Sequence, residues 1–342
     1  MERAWQQVRA EFGKAVVHQD ELIEQLLISI LSGGHSILVG MPGAAKSLMA
    51  VTLARILGLD FHRIRCTPDL TPDDVTDGTH QSVAASDIGR AEGGLLFANV
   101  LLVDGIDRLP PKTQSILHQA IQDREVIVRG QRRRLPNPFL LLATKYPADE
   151  DSPDAPYEPR DDRFMLEIRV RYPSYYQEYG IADAMTAAGR AQPQQILSAA
   201  EILLFQQQVR KVAAPPHTLH YAIRLVRSTR VHEGENPDFV YEWVSQGAGP
   251  RAVHYLTLAG KVRAALRGRD HVANDDIRAV AHSVLRHRVI TNRNARSNGI
   301  TVDRVIDRLL SDVPDRLAGD DTPPGPTHRS DPQDWPSTDP HG

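Results

Sequence analysis

Gly40-Met41-Pro42-Gly43-Ala44-Ala45-Lys46-Ser47 follows the apolar run Ser36-Ile37-Leu38-Val39 and leads into Leu48, Met49, Thr52, Leu53 and Ile56 at helical spacing. A short strand, a glycine-bearing loop and an amphipathic helix, in that order, predict a phosphate-binding loop of the Walker A kind. The backbone N–H groups of such a loop converge on an anion, and the helix N-terminus adds partial positive charge. Gly40, Pro42, Gly43, Ala44, Ala45, Lys46, Ser47 and Leu48 are therefore the candidate nucleotide-binding residues. Lys46 is placed to reach the terminal phosphates as a compact point charge, and Ser47 to hold Mg²⁺ through its hydroxyl. Ala45 stands where the motif has glycine before the lysine. That substitution predicts a negative φ, because a β-carbon is tolerated in the right-handed region and resisted in the left-handed one. The competing reading is a strand-to-helix turn whose glycine and lysine are incidental, and with this flanking periodicity the phosphate loop is the favoured one.

The chain has 342 residues, enough for about two domains with a core in each. Hydrophobic content of 41% and charged content of 24% are ordinary for a globular protein. A net charge of −3 argues against a dedicated nucleic-acid binder, whose domains are strongly basic. Cys66 is the only cysteine, which excludes an internal disulfide and a cysteine metal cluster and points to a reducing, cytoplasmic setting. The N-terminus lacks the apolar region of a signal peptide and no stretch reaches spanning length, so direct membrane insertion is not expected.

Residues 21–31 place Ile23, Leu26, Leu27, Ile30 and Leu31 on one helical face, with Asp20 as N-cap and Gly33-Gly34 as the stop. Residues 15–19, just before, either bring backbone close to a base beyond the phosphate loop or form an ordinary loop. Residues 61–66 alternate apolar and basic types and predict a second strand. Residues 67–77 read as a loop, and 80–94 as a short helix or an insertion. Val100-Leu101-Leu102-Val103-Asp104 has the pattern of a strand buried on both faces, ending in a carboxylate at the edge where α/β ligands bind. Asp104 is placed there to organise the water shell of Mg²⁺. Pro110-Pro111 opens a helix with Ile116, Leu117, Ala120 and Ile121 inward. Residues 126–129 and 135–139 predict a hairpin around a basic turn, Gly130-Gln131-Arg132-Arg133-Arg134. Two further strands, at 139–144 and 164–170, flank an acidic, proline-rich loop at 147–159, and a boundary falls at the tyrosine-rich residues 172–179. From Ile196 the patterning is helical throughout.

Several stretches together resemble the MoxR family of AAA+ ATPases over residues 10–313. They are Gly40–Ser47, Thr67-Pro68-Asp69-Leu70, Leu96-Phe97-Ala98-Asn99, Pro110–Ser115, Asp162-Arg163-Phe164 and Gly249-Pro250-Arg251-Ala252. The resemblance implies an α/β fold: a RecA-like αβα P-loop domain with a five-stranded parallel sheet over residues 1–175, then a small all-α lid over 196–313. Residues 314–342, rich in Pro and Asp, read as a disordered acidic tail. The family further implies a homo-oligomeric ring, usually a hexamer, with Mg-ATP between neighbours. Lys46, Asp104 and Arg163 would then form the catalytic set, with Ser47 and Asp104 at the metal, Asp104 through water. Arg163 looks like an arginine finger reaching the γ-phosphate of the adjacent subunit's ATP, and Arg251 like sensor 2 on the same phosphates. The implied activity is ATP binding and hydrolysis coupled to chaperone-like remodelling or assembly of a protein partner, with a von Willebrand factor A-domain protein as the partner class.

Two positions depart from the family pattern. Where Asp-Glu is expected the chain has Asp104-Gly105, and glycine cannot polarise water. The sensor 1 asparagine is replaced by Tyr146, in Ala143-Thr144-Lys145-Tyr146-Pro147. Losing a general base or water-orienting group lowers a rate by about 10²–10⁴-fold. Asp107 and Lys145 are the nearby substitutes. Slow hydrolysis and an ATP-dependent scaffold or switch without turnover both stay open. A nucleic-acid-tracking motor is a third reading, resting on Arg132–Arg134 as a basic collar at a ring pore and opposed by the net charge.

Overall fold

The computed structural model describes residues 1–16, 19–77, 94–147, 159–186, 192–231, 236–317 and 320. Two helices, α1 (Glu2–Gly13) and α2 (Asp20–Ser32), precede the first strand, β1 (Ser36–Val39). Asp20 does not cap α2 as expected: Gln19 takes the cap position without a side-chain bond. Asp20 instead ties α2 to α1, with Arg9 Nε 2.7 Å from its Oδ1, and its charge still suits a helix N-terminus. The other end follows the sequence. Gly33 adopts φ +67°, and the N–H groups of Gly33 and Gly34 reach the carbonyls of Ile30 and Ser29 at 3.0 and 2.8 Å, a Schellman stop.

Next come α3 (Lys46–Ile56), β2 (Phe61–Arg65), α4 (Pro72–Asp77), β3 (Val100–Asp104) and α5 (Pro111–Asp123). A hairpin of β4 (Glu125–Val128) and β5 (Gln131–Arg134) leads to β6 (Leu140–Lys145) and β7 (Leu166–Arg169). Five strands make one parallel sheet in the order β2-β3-β6-β1-β7, the α/β arrangement expected. Alternation sends Leu38, Leu102, Leu140, Leu142 and Ile168 to one face and Ile37, Leu101, Val103, Leu141 and Ala143 to the other. Both faces carry apolar cover, which is why these strands read as unbroken apolar runs. The register sets Arg65 beside Asp104, Asp104 beside Thr144, and Val39 beside Lys145. Four strands thus end in one row.

Two local expectations are overturned. Residues 67–77 are not all loop, because Thr71 and Asp74 cap each other and start α4. The Thr71 N–H reaches Asp74 Oδ2 at 2.8 Å, and the Asp74 N–H reaches Thr71 Oγ1 at 3.3 Å. The hairpin turns at Arg129-Gly130, with φ +50° and +78°, the two-residue turn that matches strand twist. The arginine run therefore lies along β5 rather than in the turn, in a register fixed by burial of Val126 and Val128. The Arg133 guanidinium lies 4.2 Å from the Phe97 ring centroid, and Arg134 meets Glu125 at 3.2 Å. Most of segments 80–94 and 147–159, together with Val17 and His18, fall outside the described residues.

The tyrosine-rich boundary continues as α6 (Tyr175–Thr186). The region beyond comprises α7 (Ala199–Lys211), α8 (Pro216–Arg227), α9 (Asp238–Trp243), β8 (Val244–Gln246), α10 (Pro250–Leu266) and α11 (Asn274–Leu285). It closes with β9 (Ile290–Thr291), α12 (Arg293–Ser297) and α13 (Val302–Asp312). It is not purely helical: β8 and β9 pair antiparallel, and both are too short to show a period. Helices α7 and α10 pack on α2, and α11 on β7, so this region shares the core on one face of the sheet. Asp303 fastens it further, 2.9 Å from Arg169 and 2.6 Å from Arg286. Residues 314–317 and 320, assigned by sequence to the tail, meet these helices. Arg224 lies 2.7 Å from Asp320, and Arg278 lies 2.6 Å from Asp315. The rest of the tail is outside the described residues.

Candidate functional site

A cleft of about 440 Å³ opens where the strands end, walled by residues 42–48, Arg63 and Arg65, Asp104 and Gly105, Arg108, and residues 144–146. This is the carboxyl edge at which parallel α/β sheets bind ligands. Gly40, at the exit of β1, is demanded by close approach, since a β-carbon there would lie 2.4 Å from the Val170 carbonyl oxygen. Gly43 has φ +82° and Ala45 φ +61°. Ala45 thus contradicts the negative φ expected from its side chain. The loop needs a left-handed residue directly before the helix, and its surroundings impose that conformation on alanine against a penalty of about 1–2 kcal/mol. Lys46 Nζ folds back onto the carbonyls of Gly40 and Met41 at 2.5 and 2.9 Å. Burial lowers its pKa, with the charge of Asp104 opposing. Met49, Thr52, Leu53 and Ile56 are buried as expected, but Leu48 is 40% exposed and stands in the cleft wall.

Asp104 accepts hydrogen bonds from Arg63 and from Thr144 Oγ1, the latter at 2.7 Å. Thr144 Oγ1 in turn accepts from the Gly105 N–H at 2.9 Å. Burial alone would raise the Asp104 pKa. The bonds from Arg63 and Thr144, with the charges of Arg63 and Lys46, outweigh it and hold the carboxyl below its ordinary value. Ser47 lines the cleft with a hydroxyl that has no partner among the described residues. An uncommitted hydroxyl and a carboxylate with a lowered pKa lining one cleft are hard-oxygen donors of the kind that suits Mg²⁺.

Gly105, where a water-polarising carboxylate was expected, has φ +83°. Tyr146 accepts a hydrogen bond from Arg108 Nη2 at 3.2 Å, and its ring centroid lies 5.3 Å from Arg108 Cζ and 5.9 Å from Lys46 Nζ. Of the two substitutes suggested by sequence, Lys145 lines the cleft but is paired, and Asp107 does not line it. Lys145 Nζ lies 2.7 Å from Asp161, and Asp107 is exposed and absent from the wall. Sequence reading missed Arg63 and Arg108. The basic alternation of residues 61–66 carried a signal for Arg63. Arg108 had none, since nothing local says which way a short turn after a strand will aim its last side chain.

Arg163 and Arg251 are not in this cleft. The Met165 N–H bonds the His35 carbonyl before β1 begins, so Arg163 lies beyond the opposite edge of the sheet. That is roughly 15–20 Å from Gly40 at strand rise. The Arg163 guanidinium has no partner among the described residues, and its carbonyl accepts from the Tyr255 hydroxyl at 3.2 Å. Arg251, at the start of α10, is bonded to Asp162, which Arg288 also holds at 2.8 Å. Burial lowers the Arg288 pKa, and Asp162 opposes the shift. The two arginines expected at the nucleotide are thus brought to one corner, away from their own chain's phosphate loop.

A parallel sheet in this order, a phosphate loop leaving β1 and an appended helical region define an AAA-type nucleotide-binding protein with a lid. The ATPase family associated with various cellular activities (AAA) matches residues 35–166, and the AAA lid domain matches residues 242–309. Chaperone MoxR1 of Mycobacterium tuberculosis is 37% identical over 303 residues, 89% of this chain and 80% of that protein. The uncharacterized protein YeaC of Bacillus subtilis is 30% identical over 312 residues, 88% of this chain and 93% of YeaC. The crystal structure of a candidate ATPase from Cytophaga hutchinsonii matches with a TM-score of 0.81 at 34% identity, covering 92% of this chain and 95% of that one. The chain belongs to the MoxR family of AAA ATPases.

Proposed function

We propose that this protein is a MoxR-type AAA+ ATPase that works as a ring, a hexamer in this reading, with Mg-ATP held between neighbouring copies. Its binding and slow hydrolysis of ATP would serve chaperone-like remodelling or assembly of a protein partner. The observation that carries the reading is the division of the site. Lys46, Ser47 and Asp104 lie at one edge of the sheet, while Arg163, with no partner among the described residues, lies with Arg251 beyond the other. One copy cannot complete such a site. A neighbour presenting its opposite edge can, and a head-to-tail contact of that kind closes into a ring.

In this assembly the loop N–H groups and Lys46 take the phosphates, Lys46 releasing the Gly40 and Met41 carbonyls to do so. Ser47, and Asp104 through water, would hold Mg²⁺, which supplies charge neutralisation at the β- and γ-oxygens when bound. Arg163 stabilises the charge spread over the transferring phosphoryl group, a contribution of about 10³–10⁵-fold where arginine fingers act. Gly105 offers no carboxylate, and the Tyr146 hydroxyl is engaged by Arg108, so orientation of the attacking water is the weak step. A protein partner is supported by the chaperone designation of the Mycobacterium tuberculosis relative. A von Willebrand factor A-domain protein is the partner class in this reading. The second reading, an ATP-gated scaffold without turnover, is favoured by the same Gly105 and Tyr146.

The deciding experiment is single-turnover ATP hydrolysis beside direct ATP binding, for wild type, Lys46→Ala and Arg163→Ala. Turnover lost in both variants, with ATP still binding to Arg163→Ala, is the expected result for a split active site. Binding without turnover above the Lys46→Ala level selects the scaffold. Absence of ATP binding overturns both.

A further inference from the structure

The turn after β3 holds a cation, Arg108, that makes no ion pair among the described residues. Gly105 begins a tight turn in which the Arg108 N–H closes on the Gly105 carbonyl at 3.0 Å, returning residue 108 to the cleft wall. A β-carbon at position 105 would meet Arg108 Cδ at 3.4 Å, an ordinary contact, and it is the backbone at φ +83° that suits glycine here. The guanidinium then rests against Tyr146, 5.3 Å from the ring centroid, with one N–H given to the Tyr146 hydroxyl. Aromatic stacking holds a guanidinium in place while leaving most of its five donors free.

We propose that Arg108, seated on Tyr146, is a specificity-determining residue that reads the terminal phosphate of a nucleoside triphosphate bound to its own chain. The inference rests on the cleft being the ATP site. Lys46 approaches the same aromatic ring, 5.9 Å from its centroid, so two cations border one wall. Asp104 pairs with Arg63 while its charge also acts on Lys46, and Asp161 pairs with Lys145. Arg108 forms no ion pair among the described residues. Two cations on one wall, of which Arg108 makes no ion pair among the described residues, favour an anion of high charge, and the terminal phosphate is the charge that ATP has and ADP lacks. Arginine stays protonated at neutral pH and moves no proton. Position 105, without a side chain, and Arg108 beside it therefore make a turn suited to detecting the third phosphate rather than to delivering water to it.

Equilibrium binding of ATP and of ADP, each with Mg²⁺, to the full-length wild type and variants tests this. Arg108→Ala is expected to weaken ATP about tenfold while leaving ADP within about twofold, the scale of one hydrogen bond to a charged group. Arg108→Lys recovers part of the preference, keeping the charge without the planar fork. Tyr146→Phe, which keeps the aromatic ring, loses less of the ATP preference than Tyr146→Ala. A parallel loss of ATP and ADP, or an ATP-to-ADP ratio unchanged in Arg108→Ala, overturns the inference and leaves the ATP site standing. Wild type that binds neither nucleotide, with Lys46→Ala no different, overturns both.

Discussion

β1 and β3 end in the same row of the sheet, yet their exits have diverged in kind. After β1 come the glycine-bearing loop and Lys46 at the start of α3, the parts that the proposed function assigns to phosphate, even with alanine in a left-handed position that favours glycine. After β3 the carboxylate Asp104 is kept, while the next residue has no side chain and the turn sets Arg108 against Tyr146. The difference separates two tasks. Cradling phosphate depends on the path of a whole loop, so one side chain can change without losing it. Placing a water molecule depends on one or two side chains, so a single substitution removes it.

The largest effect should come from the β1 exit. Lys46→Ala is expected to weaken ATP about 100-fold by calorimetry, roughly 2.7 kcal/mol, as for loss of a charged hydrogen-bond donor. If that variant binds ATP as wild type does, the β1 exit is not the holding half and the comparison collapses. The β3 exit answers to the reverse experiment, adding a side chain. Gly105→Glu should destabilise the protein by about 1–2 kcal/mol in urea unfolding, because φ is +83° there, a conformation that resists a β-carbon. It should bring no gain in single-turnover hydrolysis. A large gain in rate without loss of stability would mean that the turn kept its old shape and lost only a side chain.

What could be read from the chain follows the same division. The strand at 100–104, the loop at 40–47 and the stop at Gly33-Gly34 were legible because each is set by a local pattern: an apolar run, glycine spacing, or a left-handed cap. The α4 start was missed although Thr71 and Asp74 stand at capping-box spacing, since Pro and Asp around them also signal loop. The arginines of β5 were placed in a turn because the sequence does not say which residues two buried valines will force into register. Arg63 on Asp104 and Arg108 on Tyr146 join residues 41 and 38 positions apart, and only the sheet brings them together. The position of Arg163 at the far edge follows from strand direction once β1 and β7 are known to pair, which no local pattern states.

The smallest effect is the most direct probe of why the β1 exit tolerates its departure. Ala45 sits at φ +61°, where alanine is disfavoured relative to glycine by about 1–2 kcal/mol. Glycine gives back about 0.5–1 kcal/mol of that through the greater freedom of its unfolded chain. Ala45→Gly is therefore expected to stabilise the apo protein by about 0.5–1 kcal/mol in urea unfolding. ATP affinity should stay within about twofold, because the backbone path that holds phosphate does not change. A destabilised Ala45→Gly would place residue 45 at negative φ in solution, as its side chain alone suggests. The loop would then acquire its phosphate-holding shape only when nucleotide arrives, and the contrast between a preformed β1 exit and the β3 exit would become one between two exits that both await a ligand.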